Sequence, residues 1–145
     1  MPRIAHCSCG SLRVVTTGEP AMVVACHCRE CQRRTGAPFS VSVIFEKAQV
    51  RAEGASKVYI RDGQEGRKIR FHFCPECGIT VYWDLDRLPD HIIVAFGAFA
   101  DPALPAPTRS IWEESRHSWV EFGNDLEFSQ QHGNTNAPSG WRLKD

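Results

Sequence analysis

A chain of 145 residues is the length of one domain, long enough to bury roughly 70% of the surface that its unfolded form exposes. Lysine and arginine total 17 and aspartate and glutamate total 17, a formal charge of zero, so no overall field draws in nucleic acid or an anionic membrane. The longest apolar run, IIVAFGAFA at 92–100, is too short to span a bilayer, and MPRIAHCSCG lacks the apolar stretch of a signal peptide; the expectation is a cytoplasmic protein with neither nucleic-acid nor membrane partners.

Along the chain, short stretches of Val, Ile, Phe and Tyr alternate with polar residues between Gly, Pro and charged punctuation, the pattern of antiparallel strands. SLRVVTT (11–17) and AMVVAC (21–26) are the first predicted strands. A short helix is expected after Cys28, from Arg29 through Thr35, stopped by Gly36 and Pro38. FSVSVIF is the clearest strand, setting Phe39, Val41, Val43 and Phe45 on one face with Ser40 and Ser42 opposite. AQVRAE (48–53) and SKVYIR (56–61) come next, then KIRFHF, with Ile69, Phe71 and Phe73 against Lys68, Arg70 and His72. TVYWD (80–84) and HIIVAFG (91–97) complete the series, and the turn spacing predicts a mainly β, small antiparallel fold with short helical turns. The three prolines of DPALPAPTRS favour an extended path over the surface rather than another buried strand, with Trp112, Trp119 and Phe122 as anchors that dock this arm. Residues 1–130 read as a single domain and 131–145, with HGNTNAPSG, as a loosely ordered tail.

Seven cysteines fall into three groups: Cys7 and Cys9 in HCSCG, Cys26, Cys28 and Cys31 in ACHCREC, and Cys74 and Cys77 in FCPECG. An odd count in C-x-C and C-x-x-C groups points to thiolate ligation of metal rather than to a disulfide framework. Seven is also four plus three, the ligand counts of a closed structural zinc site and an open catalytic one. Spacing allows two partitions. Cys28 and Cys31 with Cys74 and Cys77 make a four-cysteine ribbon that leaves Cys7, Cys9 and Cys26 over; otherwise Cys7, Cys9, Cys74 and Cys77 share one ion and Cys26, Cys28 and Cys31 form a trio. The second partition is favoured, because the trio lies within six residues and converges with little loop-closure cost.

In order, HCSCGSLRV, CHCRECQRRTGAPF and FCPECG resemble the glutathione-dependent formaldehyde-activating enzyme family, which includes centromere protein V-like members. The resemblance implies a β-rich zinc fold of the kind called a β-tent, with two zinc ions per chain. Cys7, Cys9, Cys74 and Cys77 match the structural ligands, and Cys26, Cys28 and Cys31 match the ligands of the catalytic ion. It further implies a carbon–sulfur lyase that joins formaldehyde to glutathione, giving S-(hydroxymethyl)glutathione. Three thiolates leave a zinc ion with a formal charge of minus one, so it acidifies bound water less than an ion on three neutral histidines. A substrate thiol, a soft donor, suits the open position better.

Arg33 and Arg34 directly follow the trio and are candidates to hold the carboxylates of a glutathione-like substrate, against a plain role as cations at a helix end. Two rival readings stand beside the enzyme. The trio becomes a second structural site if His27, His6 or His72 closes it, and the whole chain becomes a non-catalytic zinc module that binds a protein partner. No general base is assigned: His72, His91 and His117 are isolated in sequence, and no strained glycine elbow surrounds Ser115 or Ser118. Oligomeric state has no signature in the sequence.

Overall fold

β-branched and aromatic residues, interrupted by Gly, Pro and charged turns, build eleven strands, two short helices and three 3-10 turns in the computed structural model, which describes residues 1–128. In chain order they begin β1 (Arg3–His6), β2 (Arg13–Thr16), β3 (Met22–Cys26), α1 (Arg29–Thr35), β4 (Ser40–Glu46), β5 (Val50–Glu53) and β6 (Lys57–Asp62). They continue β7 (Lys68–Phe73), β8 (Thr80–Leu85), β9 (His91–Ala95), α2 (Phe96–Phe99), β10 (Arg109–Ile111) and β11 (Glu127–Phe128). The fold is mainly β, and among the described residues no helix is long and apolar enough to cross a membrane. The tail expected over 131–145 lies outside the described residues.

By its contacts the chain divides into two units, residues 1–21 with 43–102, and residues 22–42 with the chain from 103 onward. In the first, β1, β2 and β5 form an antiparallel sheet, and β6, β7, β8 and β9 follow one another in an antiparallel ladder. Its core includes Leu12, Val14, Val43, Val81 and Val94, with Phe45 packed on Phe99 at 6.3 Å between ring centres and Phe71 on Trp83 at 5.6 Å. In the second unit β3 pairs with β10 and β10 with β11, both in parallel, around buried Val23, Val24, Ala25 and Ile111.

Two patterns depart from expectation. In β4 Ser40 is buried and Val41 is not, while Val43, Ile44 and Phe45 are buried in succession; residues pointing both ways are covered, and alternation vanishes where a strand is buried on both faces. The arm after residue 100 does contain a buried strand, since Arg109, Ser110 and Ile111 are all buried and pair with Val24, Ala25 and Cys26. A three-residue strand is too short to carry a readable period. Of the expected anchors, Phe122 sits edge-on to Phe39 at 5.5 Å and Trp112 is half-buried, but Trp119 is 70% exposed and docks nothing inward.

Candidate metal centres

In the first unit two similar turns bring four sulfurs together. After β1 the Cys7 amide bonds the Leu12 carbonyl at 3.0 Å, with Gly10 at φ 80° allowing the reversal. Between β7 and β8 the Cys74 amide bonds the Ile79 carbonyl at 2.9 Å, with Gly78 at φ 79°, and a β-bulge at His72 and Phe73 re-aims the chain just before it. The Sγ atoms of Cys7, Cys9, Cys74 and Cys77 all lie within 4.8 Å of one another. Cys9 Sγ is 3.6 Å from both Cys7 Sγ and Cys74 Sγ, close to the edge of about 3.8 Å that zinc–sulfur bonds of about 2.3 Å give a tetrahedron.

Neighbouring groups favour thiolates at Cys7 and Cys74. The Leu12 amide donates to Cys7 Sγ at 3.3 Å and the Glu76 amide to Cys74 Sγ at 3.4 Å, while Ser11 Oγ lies 3.1 Å from the sulfurs of both Cys9 and Cys74. Burial pushes the Cys7 thiol up, but the Leu12 amide and the thiols of Cys9, Cys74 and Cys77 outweigh it and bring the group down to about 6. The Ser11 hydroxyl and the local amides likewise lower Cys74. The donor set fits a divalent metal of the zinc type.

In the second unit β3 ends in Cys26, Cys28 caps α1, and Cys31 falls in the first helical turn. Cys28 Sγ accepts from the Cys31 amide at 3.3 Å, and the helix stops where Gly36, at φ 66°, returns its amide to the Gln32 carbonyl. The three sulfurs lie within 4.8 Å of one another, and among the described residues no fourth Cys, His, Asp or Glu ligand atom joins the group. Hydrogen bonds from the Cys26 and Cys28 thiols draw Cys31 down to about 2, assisted by Ser40 and the charge of Arg34, whereas Cys26 is held well above the ordinary thiol range.

His27 turns away from this group. Its ring is fully buried against Phe39 and Phe122, with Nε2 2.8 Å from Ser110 Oγ, and burial lowers its pKa below the ordinary histidine value. Of the two arginines, Arg33 is mostly exposed and bonds Glu30 at 2.5 Å, while half-buried Arg34 is the one whose charge reaches Cys31. His117 donates from Nε2 to Gln32 Oε1 at 2.9 Å, and His72 lies 3.3 Å from both Ser56 and Asp84 in the first unit. The residues that sequence reasoning missed are Ser11, Gln32, Ser110 and Glu113; the only available signals were Ser11 adjoining HCSCG and the Glu113–Arg116 spacing in SIWEESR.

The family model described as glutathione-dependent formaldehyde-activating enzyme matches residues 2–115. A Fusarium vanettenii protein provisionally named a glutathione-dependent formaldehyde-activating enzyme is 35% identical over 82 residues, which is 56% of this chain and 43% of that protein. The aligned stretch thus spans less than half the length of the relative. A crystal structure of a Rhodobacter sphaeroides protein superposes with a TM-score of 0.53 at 20% identity, over 70% of this chain and 90% of that one, a likeness of fold.

Proposed function

Because the chain belongs to the glutathione-dependent formaldehyde-activating enzyme family, we propose that it is a zinc-dependent enzyme of the carbon–sulfur lyase type acting on the adduct of a thiol such as glutathione with formaldehyde. Cys7, Cys9, Cys74 and Cys77 hold a structural zinc, and Cys26, Cys28 and Cys31 hold a catalytic one. When bound, an ion on three thiolates supplies a soft Lewis-acidic position at which a substrate thiol gives up its proton. In the forward direction the thiol sulfur adds to the carbonyl carbon, a carbon–sulfur bond forms, and the proton ends on the former carbonyl oxygen.

The observation that carries this reading is the convergence of three sulfurs with, among the described residues, no fourth ligand atom of the usual kinds beside them. His27, which would be the nearest candidate to close the site, has its ring hydrogen-bonded to Ser110 instead. Arg34, assisted by Arg33, orients a substrate carboxylate, an assignment supported by the reach of the Arg34 charge to Cys31. Thiolate ligation suits a reducing compartment such as the cytoplasm.

The test is turnover of glutathione with formaldehyde by Cys28→Ser, with the uncatalysed addition subtracted. The expected result is a loss of at least about 100-fold in kcat/KM with the circular dichroism spectrum retained. Unchanged turnover in a folded variant would overturn the catalytic assignment and leave the non-catalytic metal module as the better reading.

A further inference from the structure

A chain of buried polar groups leads from the trio's loop to a carboxylate that no metal ligand touches. Glu113, its side chain only 6% exposed, accepts from Arg116 Nε at 2.7 Å and from Ser110 Oγ at 2.5 Å. A hydroxyl carries one hydrogen, and Ser110 Oγ is the donor to Glu113 Oε1. The single Ser110 hydrogen therefore points to Glu113. Ser110 must then accept from His27 Nε2, 2.8 Å away, which fixes the hydrogen on Nε2 and leaves Nδ1 bare among the described residues.

His27 is tied at its backbone as well. Its amide donates to the Ile111 carbonyl at 3.1 Å, in the strand where Ile111 lies opposite Cys26, and its carbonyl accepts from Gln32 Nε2 at 2.9 Å, one residue past Cys31. Every polar handle of the residue between Cys26 and Cys28 except Nδ1 is thus held by β10, by α1, or by Glu113 through Ser110. A buried, charged network in so small a unit needs a reason beyond packing, because apolar side chains of the same volume would cost no desolvation.

We infer that Glu113 and Ser110 are positioning residues for the three-cysteine centre, setting the tautomer and orientation of His27 and through it the spacing of the Cys26 and Cys28 sulfurs. The inference rests on the reading of the trio as a metal site. Outer partners that orient a ligand loop typically change metal affinity 10- to 100-fold when removed.

The experiment uses the full chain loaded with zinc and titrated with a chromophoric chelator, in parallel with cobalt(II) substitution to record sulfur-to-cobalt charge-transfer bands. Ser110→Ala is expected to weaken one zinc per chain 10- to 100-fold and to alter the cobalt bands of that site alone. Glu113→Gln, which keeps an acceptor oxygen for the Ser110 hydroxyl, should restore affinity to within a few-fold of the parent, whereas Glu113→Ala should match Ser110→Ala. If Ser110→Ala leaves both zinc affinities and the cobalt spectrum unchanged, or weakens both sites equally, the positioning role is overturned. A parent protein that takes up one zinc only would remove the trio reading and this inference together, an outcome the stoichiometry separates from the others.

Discussion

Gly54, between β5 and β6, connects backbone geometry to the four-cysteine centre. Its φ is +92°, and a Cβ placed there would lie 1.9 Å from the Ser11 carbonyl oxygen and 3.3 Å from Leu12 Cα. Cβ contacts essentially never fall below 3.0 Å, so Gly54→Ala forces the Ser11 carbonyl back by roughly 1 Å. That displacement acts on the peptide whose amide donates to Cys7 Sγ and on the residue whose hydroxyl lies 3.1 Å from Cys9 and Cys74. Left-handed backbone costs a non-glycine residue about 1–2 kcal/mol, and forced backbone movement in a packed site adds about 1–3 kcal/mol. At this chain length each kcal/mol moves Tm by about 2–4 °C, which gives a fall of roughly 10 °C for the variant. Gly66 is the control: its φ is +70° but a Cβ meets nothing within 4 Å, so Gly66→Ala bears the strain without the clash. Thermal melts followed by circular dichroism, with zinc per chain measured alongside, make the comparison. If Gly54→Ala melts no lower than Gly66→Ala, the steric argument is wrong.

Three further outcomes are expected. Cys77→Ser should lower Tm steeply and remove one zinc per chain, because metal held by four thiolates contributes directly to folding free energy; a variant with unchanged melting and stoichiometry would remove the clamp. Cys28→Ser should melt close to the parent while losing turnover, so the two substitutions separate folding from activity. Asp86 accepts from the Lys68 amide at 2.8 Å and from Arg70 at 2.9 Å, in that order the causes that hold its carboxyl below the ordinary range. Its folded pKa is depressed, so its contribution to stability is present above the ordinary carboxylate value near about 4 and is lost as pH falls through the lower folded value. Asp86→Asn should therefore flatten the acid limb of urea midpoints plotted against pH, and an identical limb in both proteins would refute the assignment.

Helix α1 was legible because its stop is: the run from Arg29 through Thr35 holds no proline, and Gly36, where a left-handed residue is needed, and Pro38 end it. Strands β2, β3 and β5 to β9 were legible from local composition, and their bounds moved by only a residue or two. β10 and β11 were not, being three and two residues long and specified by partners distant in sequence, and neither was β1, four residues that pair with the adjoining β2. The stretch HIIVAFG reads as one strand, but its last two residues open α2, since an apolar run without polar alternation does not distinguish the two states. The cysteine grouping was readable only as far as proximity allows. The trio declares itself through spacing, whereas joining the two distant pairs needed the order of motifs. The Glu113, Ser110 and His27 chain was invisible, because its partners stand 83 residues apart and each is an ordinary surface residue type in isolation. Neither could spacing separate Arg33 from Arg34, since which adjacent helical residue faces the sulfurs depends on how α1 is set by its caps.

The two centres also differ in how their ligands are assembled. Cys9 and Cys74 stand 65 positions apart and meet at 3.6 Å only because the sheets of the first unit bring their turns together. Cys26 and Cys31 are separated by five positions and meet through one turn of helix. Loop closure grows as the logarithm of length, so the distant pair costs about 2 kcal/mol more to close than the local one. The folded sheets bear that cost for the four-cysteine centre, and the binding free energy of an ion there depends on the whole unit staying folded. A local trio makes a smaller demand on the fold, yet for the same reason little but its own loop fixes the sulfur positions. Such a loop gains most from outside bracing, which is what the parallel pairing of β3 with β10 and the buried Ser110 and Glu113 side chains provide. Stability should therefore follow the distant cysteines, while the local ones can be lost with the fold intact.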